Sequence, residues 1–523
     1  MLTSHNIFQN LTRCIFTEEP KYWHEKAGVD LDKRILAAPI KNKAKHLIMF
    51  LGDGMSIPTV TAGRILKGQL HGGPGEDSVL AFEAFPHVSL SKTYALDKQV
   101  ADSACTATAY LCGSKANYGT IGVDGRVKKG DCKASQDPTT HVTSILAWAQ
   151  KKGMSTGIIT TARVTHASPS GTYAHTAHRD WEAHTYDNPG CVDIATQLIK
   201  SEPGKNINVI LGGGRVVFLP KALNGSRIDG KNLIEEWKAD KKDEGIYVDT
   251  KDDLEKVTDK KYLLGLFNMD HLTYMTDREK GTSEPTLTEM TTKAIELLKK
   301  NPNGFFLFVE GGRIDHGHHD SEAKHALYEL VEMDNAIEKA TKMTETDDTL
   351  IVVTADHAHT MSINGYPPRG NDIFGFAGVG EKDHLLYTTL SYANGPGKTN
   401  RTVNLTLETV SKYQGNYFSC FCKSKSIFCL CVTASNNYRQ DSIVYLKDET
   451  HGGDDVGVFA QGPFAHLYTG VHEQSYIPHL MAYAACISEK QGPHCTNSQS
   501  SAYKNSSAII SILMAALAFL GIR

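Results

Sequence analysis

Neither an excess of one charge nor an apolar leader is found in this chain of 523 residues. Its 55 Lys and Arg stand against 59 Asp and Glu, giving a formal net charge of -4 and a pI near 6.6. A surface built for polyanions needs a basic bias, so no nucleic-acid partner is expected. The opening MLTSHNIFQNLTRCIFTEEP holds no apolar core of a signal peptide. No repeat at solenoid periods is found, which argues against a repeat architecture. A long apolar run stands at the far end, in AIISILMAALAFLGIR from Ala508 to Arg523. It is short for a membrane span. Small residues and the polar stretch CTNSQSSAYKNSS precede it. That order matches a glycolipid (GPI) attachment signal rather than a tail-anchored helix. Residues 487–523 are therefore expected to be spacer and anchor signal, with attachment among Asn497 to Ala502. An anchor signal requires secretory entry, and an incomplete N-terminus reconciles the two ends.

Sequons at Asn224, Asn400 and Asn404 suit a secretory, extracellular protein on the outer face of the plasma membrane. Eleven cysteines are present. In an oxidising compartment Cys132 and Cys191 could bridge, as could Cys486 and Cys495. Cys105 and Cys112 fall in a helical pattern and read as buried thiols. Four more crowd SCFCKSKSIFCLC, from Ser419 to Cys431, with no His among them. We read the 415–435 stretch as a translated intron in preference to a zinc site.

Apolar runs alternate with helical patterns along most of the chain. HLIMFLG, STGIITTARV, NINVILGGG, GFFLFVEGG and DTLIVVTADHAH read as buried strands. Between them, LTEMTTKAIELLKK places Leu287, Met290, Ala294, Leu297 and Leu298 on one helical face. A second long amphipathic pattern runs from Ala323 to Ile337. Such alternation predicts an α/β fold with a large, mostly parallel sheet and helices on both faces. The predicted organisation is a catalytic core over 1–364, with an N-terminal arm over 1–40. A surface insertion rich in Gly, Pro, Asn and Tyr follows over 365–447, and the core returns over 448–486.

Ligands in open parallel sheets bind beyond the carboxyl ends of the strands. Four strand exits here carry metal-type side chains. The first delivers Asp53, the second His166 and Ser168. The third delivers Glu310, Asp315, His316, His318 and His319, and the fourth Asp356, His357 and His359. Any one of them would be an ordinary cap or solvent-facing group; four exits together predict a shared metal rim. Asp with His suits zinc, and the oxygen set Asp53, Ser168 and Glu310 suits magnesium. Ser103, in ADSACTATAYLCG, opens a helix of small residues, where a hydroxyl beside a metal can attack phosphorus.

The segments LIMFLGDGM, DSACTATAYLCG, THASPSGTYAHT, FFLFVEGGRIDHGHH, TADHAHT and DETHGGDDVGVFAQGP together resemble the animal, membrane-anchored alkaline phosphatases. The resemblance runs from about Pro20 to Cys495 and is weaker between Gly365 and Lys447. It implies that Ser103 is the nucleophile and Arg179 the phosphate clamp. It implies one zinc on Asp315, His319 and His451, a second on Asp356, His357 and Asp53, and magnesium on Asp53, Ser168 and Glu310. His166 would lie near the magnesium and His316 near the substrate. The family's calcium ligands are only partly matched, by Phe267 and Glu284, with Asn268 replacing a carboxylate, so calcium is not expected. The implied activity is hydrolysis of small phosphate monoesters through a phosphoserine, with many leaving groups and an alkaline optimum. A homodimer is also implied, with Tyr366 of GYPPRG reaching the partner subunit. Two rivals remain: a phosphodiesterase of the same superfamily, and a GPI-anchored binding protein with lost or incidental activity. Ser103 lies in no C/S-x-P-x-R pattern, which disfavours a sulfatase.

Overall fold

The computed structural model describes residues 19–185, 190–382, 384–397, 433 and 435–496. Asn400, Asn404, the cysteine-rich cluster and the apolar C-terminal run lie outside the described residues. The described residues up to Ile40 belong to a unit of their own and include a helix over Pro20–Leu36. Everything else described belongs to a second unit.

That second unit is organised by a ten-stranded sheet. We label its strands β1 (His46–Gly52), β2 (His87–Lys92), β3 (Ser155–Arg163), β4 (Val209–Gly213) and β5 (Gly245–Val248). They continue as β6 (Tyr262–Leu266), β7 (Phe305–Gly311), β8 (Thr349–Ala355), β9 (Val456–Gln461) and β10 (Val471–Glu473). The spatial order is β10-β2-β9-β8-β1-β7-β3-β4-β6-β5. Only β9 runs against its neighbours. The sheet is thus mostly parallel, as the alternating pattern predicts.

Parallel strands at the sheet centre bury both faces, which is why they read as unbroken apolar runs. In β1, Leu47, Met49 and Leu51 face one core and Ile48 and Phe50 the other. In β7, Phe306 and Phe308 share the first core, and Phe305, Leu307 and Val309 the second. Helices Ser103–Cys112, Ile145–Lys151, Ile194–Lys200 and Tyr476–Ala484 cover the first face. Helices Leu287–Leu298 and Ala323–Met343 cover the second. Each fully buried large apolar side chain contributes about 1.5–3 kcal/mol.

The strands predicted to carry the rim, β8, β1, β7 and β3, are adjacent at the centre of the sheet. All four are mutually parallel, so their carboxyl ends share one edge. Beyond β8 the chain builds small accessory sheets, including Met361–Ile363 with Leu390–Gly395 and Ser442–Tyr445. These fall within or beside the stretch expected to be an insertion. Cys132 is bonded to Cys191 and Cys486 to Cys495, with Cα separations of 5.9 and 5.6 Å. Cys105 and Cys112 are free and buried.

Candidate active site

The serine is positioned by a helix with both ends fixed by sequence. Asp102 caps helix Ser103–Cys112, its side chain accepting from the Cys105 N–H at 3.4 Å. Gly113 ends the helix in the left-handed region at φ 71°. All ten residues between are buried, and their small side chains let the helix sit tightly on the sheet. Ser103 Oγ lies 3.2 Å from His357 Nε2 and 3.4 Å from Asp53 Oδ1.

Two ligand sets flank it. Asp53, Asp356 and His357 bring ligand atoms within 4.8 Å of one another, and so do Asp315, His319, His359 and His451. In the first, His357 Nε2 is 3.1 Å from Asp356 Oδ2 and 3.6 Å from Asp53 Oδ1. In the second, Asp315 lies 3.3 Å from His319 Nε2, 3.5 Å from His451 Nε2 and 2.7 Å from His359 Nε2. His451 reaches the rim because the two-residue strand His451–Gly452 pairs antiparallel with Ala358–His359, setting His451 opposite His359. Gly54 makes this crowding feasible. Its N–H donates to Asp356 Oδ1 at 2.9 Å, its φ is +68°, and a Cβ there would collide with the His359 ring.

A third set is built of oxygens. Thr160 Oγ1, from β3, donates to Glu310 Oε2 at 2.5 Å. Glu310 Oε1, Ser168 Oγ and Asp53 Oδ2 are buried with no hydrogen-bond partner. Orphaned acceptors of this kind are costly unless a cation satisfies them. Burial pushes Asp53, Asp356 and Glu310 above the ordinary carboxylate range, Glu310 to about 8, and neighbouring carboxylates add to each shift. Asp315 is the exception: burial would raise it, but His319, His359 and His451 hold it well below its ordinary value. So many buried carboxyl groups, some orphaned, fit resident divalent cations.

Arg179 approaches from the loop after Thr176. Its Nη1 pairs with Asp102 Oδ2 at 3.1 Å and its Nη2 donates to His166 Nε2 at 3.3 Å. His166 and His316 rings lie 5.3 Å apart. Burial lowers both well below the ordinary histidine value, with Arg179 adding to the effect on His166 and His271 to that on His316. Asp53, Asp356 and His357 thus gather in one set and Asp315, His319, His359 and His451 in the other. His318, predicted with them, is engaged elsewhere, its Nε2 lying 3.0 Å from Thr59 Oγ1 and its Nδ1 2.9 Å from the Tyr392 hydroxyl.

Sequence reasoning left three supports unassigned. His359 stands at a strand exit with no implied role, and its two-residue spacing from His357 is the signal it offers. Glu449 offers no signal beyond its place two residues before His451, and Thr160 none beyond its place within β3. Of the residues partly matching the family's calcium set, Glu284 is engaged by protein donors. Glu284 accepts from Asn268 Nδ2 at 2.6 Å, Thr273 N–H at 2.8 Å and Thr273 Oγ1 at 2.9 Å. The sequon residue Asn224 is exposed, with φ 59°.

Fold and rim together define a class: metal-dependent hydrolases of phosphate esters that work at the carboxyl edge of a parallel α/β sheet. Comparison with known proteins narrows the class. A family model described as alkaline phosphatase matches residues 44–487, so the chain belongs to the alkaline phosphatase family. It is 49% identical to an alkaline phosphatase of Gadus morhua over 500 residues, covering 90% of this chain and 98% of the relative. It is 44% identical to a membrane-bound alkaline phosphatase of Bombyx mori, covering 97% and 92%. The crystal structure of Thermus thermophilus alkaline phosphatase shares the fold, with a TM-score of 0.61 at 22% identity, covering 87% of this chain and 94% of that one. The chain is accordingly a phosphoric monoester hydrolase. No helix among the described residues is long and apolar enough to cross a membrane.

Proposed function

We propose that Ser103 is the nucleophile of this phosphatase and Arg179 its phosphate clamp. The observation that carries the reading is the position of Ser103 Oγ, beside Asp53 and His357 at a capped helix N-terminus. Zinc would be held by Asp315, His319 and His451, and a second zinc by Asp356, His357 and Asp53. Magnesium would be held by Asp53, Ser168 and Glu310, whose unpaired oxygens fit a hard cation. When bound there, these ions supply positive charge that acidifies a hydroxyl and offsets charge on a departing oxygen.

The chain's own residues do the rest. Arg179, oriented by Asp102, grips two nonbridging phosphoryl oxygens in a fork. Backbone N–H groups at the helix N-terminus add partial positive charge. Ser103 Oγ attacks phosphorus in line, the bond to the alcohol oxygen breaks, and a phosphoserine forms. Water then attacks that phosphorus, releasing phosphate and restoring the hydroxyl. None of these residues grips the alcohol, so the leaving group is weakly selected. Ser103→Ala should lower aryl-phosphate turnover by about 1000-fold or more while zinc and magnesium contents stay unchanged. Turnover close to wild type with full metal content would remove Ser103 from this role.

We further infer a homodimer tethered by GPI to the outer face of the plasma membrane. The exposure of Tyr366 supports the first part. The small, polar and apolar blocks from Asn497 to Arg523 support the second.

A further inference from the structure

Beside the metal rim, and used by none of the steps above, lies a stacked column of side chains. Arg313 Nη1 donates to His316 Nδ1 at 2.9 Å. The same guanidinium lies 3.6 Å from the centre of the Tyr274 ring. Tyr274 also stacks on His325, with centroids 4.0 Å apart and planes 8° from parallel. At those separations one face of Tyr274 cannot hold both groups, so it is sandwiched between them. His325 in turn sits 2.8 Å from Glu322 and 3.3 Å from Asp277. Asp277 accepts from Asn436 Nδ2 at 2.8 Å, and Arg439 approaches Glu322 at 3.6 Å.

Arginine has donors only, so His316 Nδ1 must accept and the neutral ring must carry its proton on Nε2. That Nε2–H has no hydrogen-bond partner among the described residues. The ring cannot easily turn away, because His271 stands edge-on to it at 4.2 Å. His271 is itself held by Arg163, whose backbone N–H donates to Nδ1 at 3.2 Å. One position before His316 is Asp315, in the His-rich ligand set. A donor fixed there without a protein acceptor suits a phosphoryl oxygen or the water that bridges to it.

We propose that Arg313 is a positioning residue, which fixes the tautomer and direction of His316 for the phosphoryl group from a column anchored at the 435–440 segment. This rests on the phosphatase site proposed above. The test is kcat and KM for an aryl phosphate, measured on the full chain loaded with zinc and magnesium. Arg313→Met removes the donor and keeps an apolar stem, and should lower kcat/KM about tenfold. Arg313→Lys keeps a donor without the planar fork and should fall between the two. In a His316→Ala background, Arg313→Met should change kcat/KM less than twofold, because its route of action is gone. Equal losses in both backgrounds, or no loss in the wild-type background, would overturn the proposal. If Arg313→Met fails to fold, 15N NMR of the wild-type His316 ring decides. A protonated Nε2 and bare Nδ1 agree with the proposal, and the reverse overturns it. A wild-type chain without turnover would instead fail the underlying site.

Discussion

At the scale of single residues, Glu449 shows how a support governs a ligand set. One carboxylate oxygen pairs closely with His359 Nδ1, and the other accepts from Thr360 N–H at 2.7 Å and Thr360 Oγ1 at 2.5 Å. The Glu449 backbone carbonyl also meets His319 Nδ1 at 2.5 Å. Both rings are thereby held with Nε2 turned toward Asp315. Burial alone would lower the His359 pKa, but Glu449 and Asp315 outweigh it and hold the ring at about 10. Outer supports of this kind typically govern metal affinity by 10–100-fold. Glu449→Gln should therefore weaken zinc binding by about tenfold in competition with a chromophoric chelator. Affinity within twofold of wild type would leave Glu449 a purely structural part.

At the scale of elements, helix Ala323–Met343 buries acidic groups as well as its apolar stripe. Glu329 accepts from the Met275 N–H at 2.7 Å, and burial pushes its carboxyl up to about 7. The folded chain therefore keeps this proton to higher pH than the unfolded chain, whose glutamates titrate near 4.3. Stability contributed by the protonated form is full below that lower value and is lost as pH rises to about 7. The whole shift corresponds to about 4 kcal/mol. Glu329→Gln keeps the acceptor and cannot ionise. By calorimetry it should melt above wild type at pH 9, with the gap closing toward pH 5. A gap independent of pH would remove Glu329 titration from the stability of this helix.

The same scale explains what the sequence made legible. Strands β1, β3, β7 and β8 stood out because both of their faces are buried, leaving apolar runs that end abruptly in Asp, Glu or His. The ligands within a few positions of those ends were legible for the same reason. His451 was not, since only its pairing across two residues with His359 carries it to the rim, and so short a strand leaves no pattern. The Tyr274 column was hidden likewise. Its members lie on loops and on two helices, with no shared period.

At the scale of the whole molecule, the rim is a point where electrostatics opposes the fold. Asp53, Glu310 and Asp356 are fully buried, each is pushed toward protonation by burial and by other carboxylates, and Asp315 lies among them. They lie on or just beyond three adjacent strands at the sheet centre, β8, β1 and β7, so strain there bears on both cores. A cation bound only by the folded chain stabilises it by about 4 kcal/mol at a thousand times its Kd. Chelating the metals should thus lower the melting temperature by about 5–10 °C as well as abolish turnover. The drop should shift the main transition rather than split off a local one, because the central strands cannot loosen alone. Ser103→Ala should show the same drop, since the effect belongs to the carboxylates and not to the nucleophile. Zinc and magnesium together should restore the original melting temperature. A melting temperature unmoved after metal analysis shows the ions gone would mean that these carboxylates do not need a cation to be buried, and the metal rim would lose its physical basis.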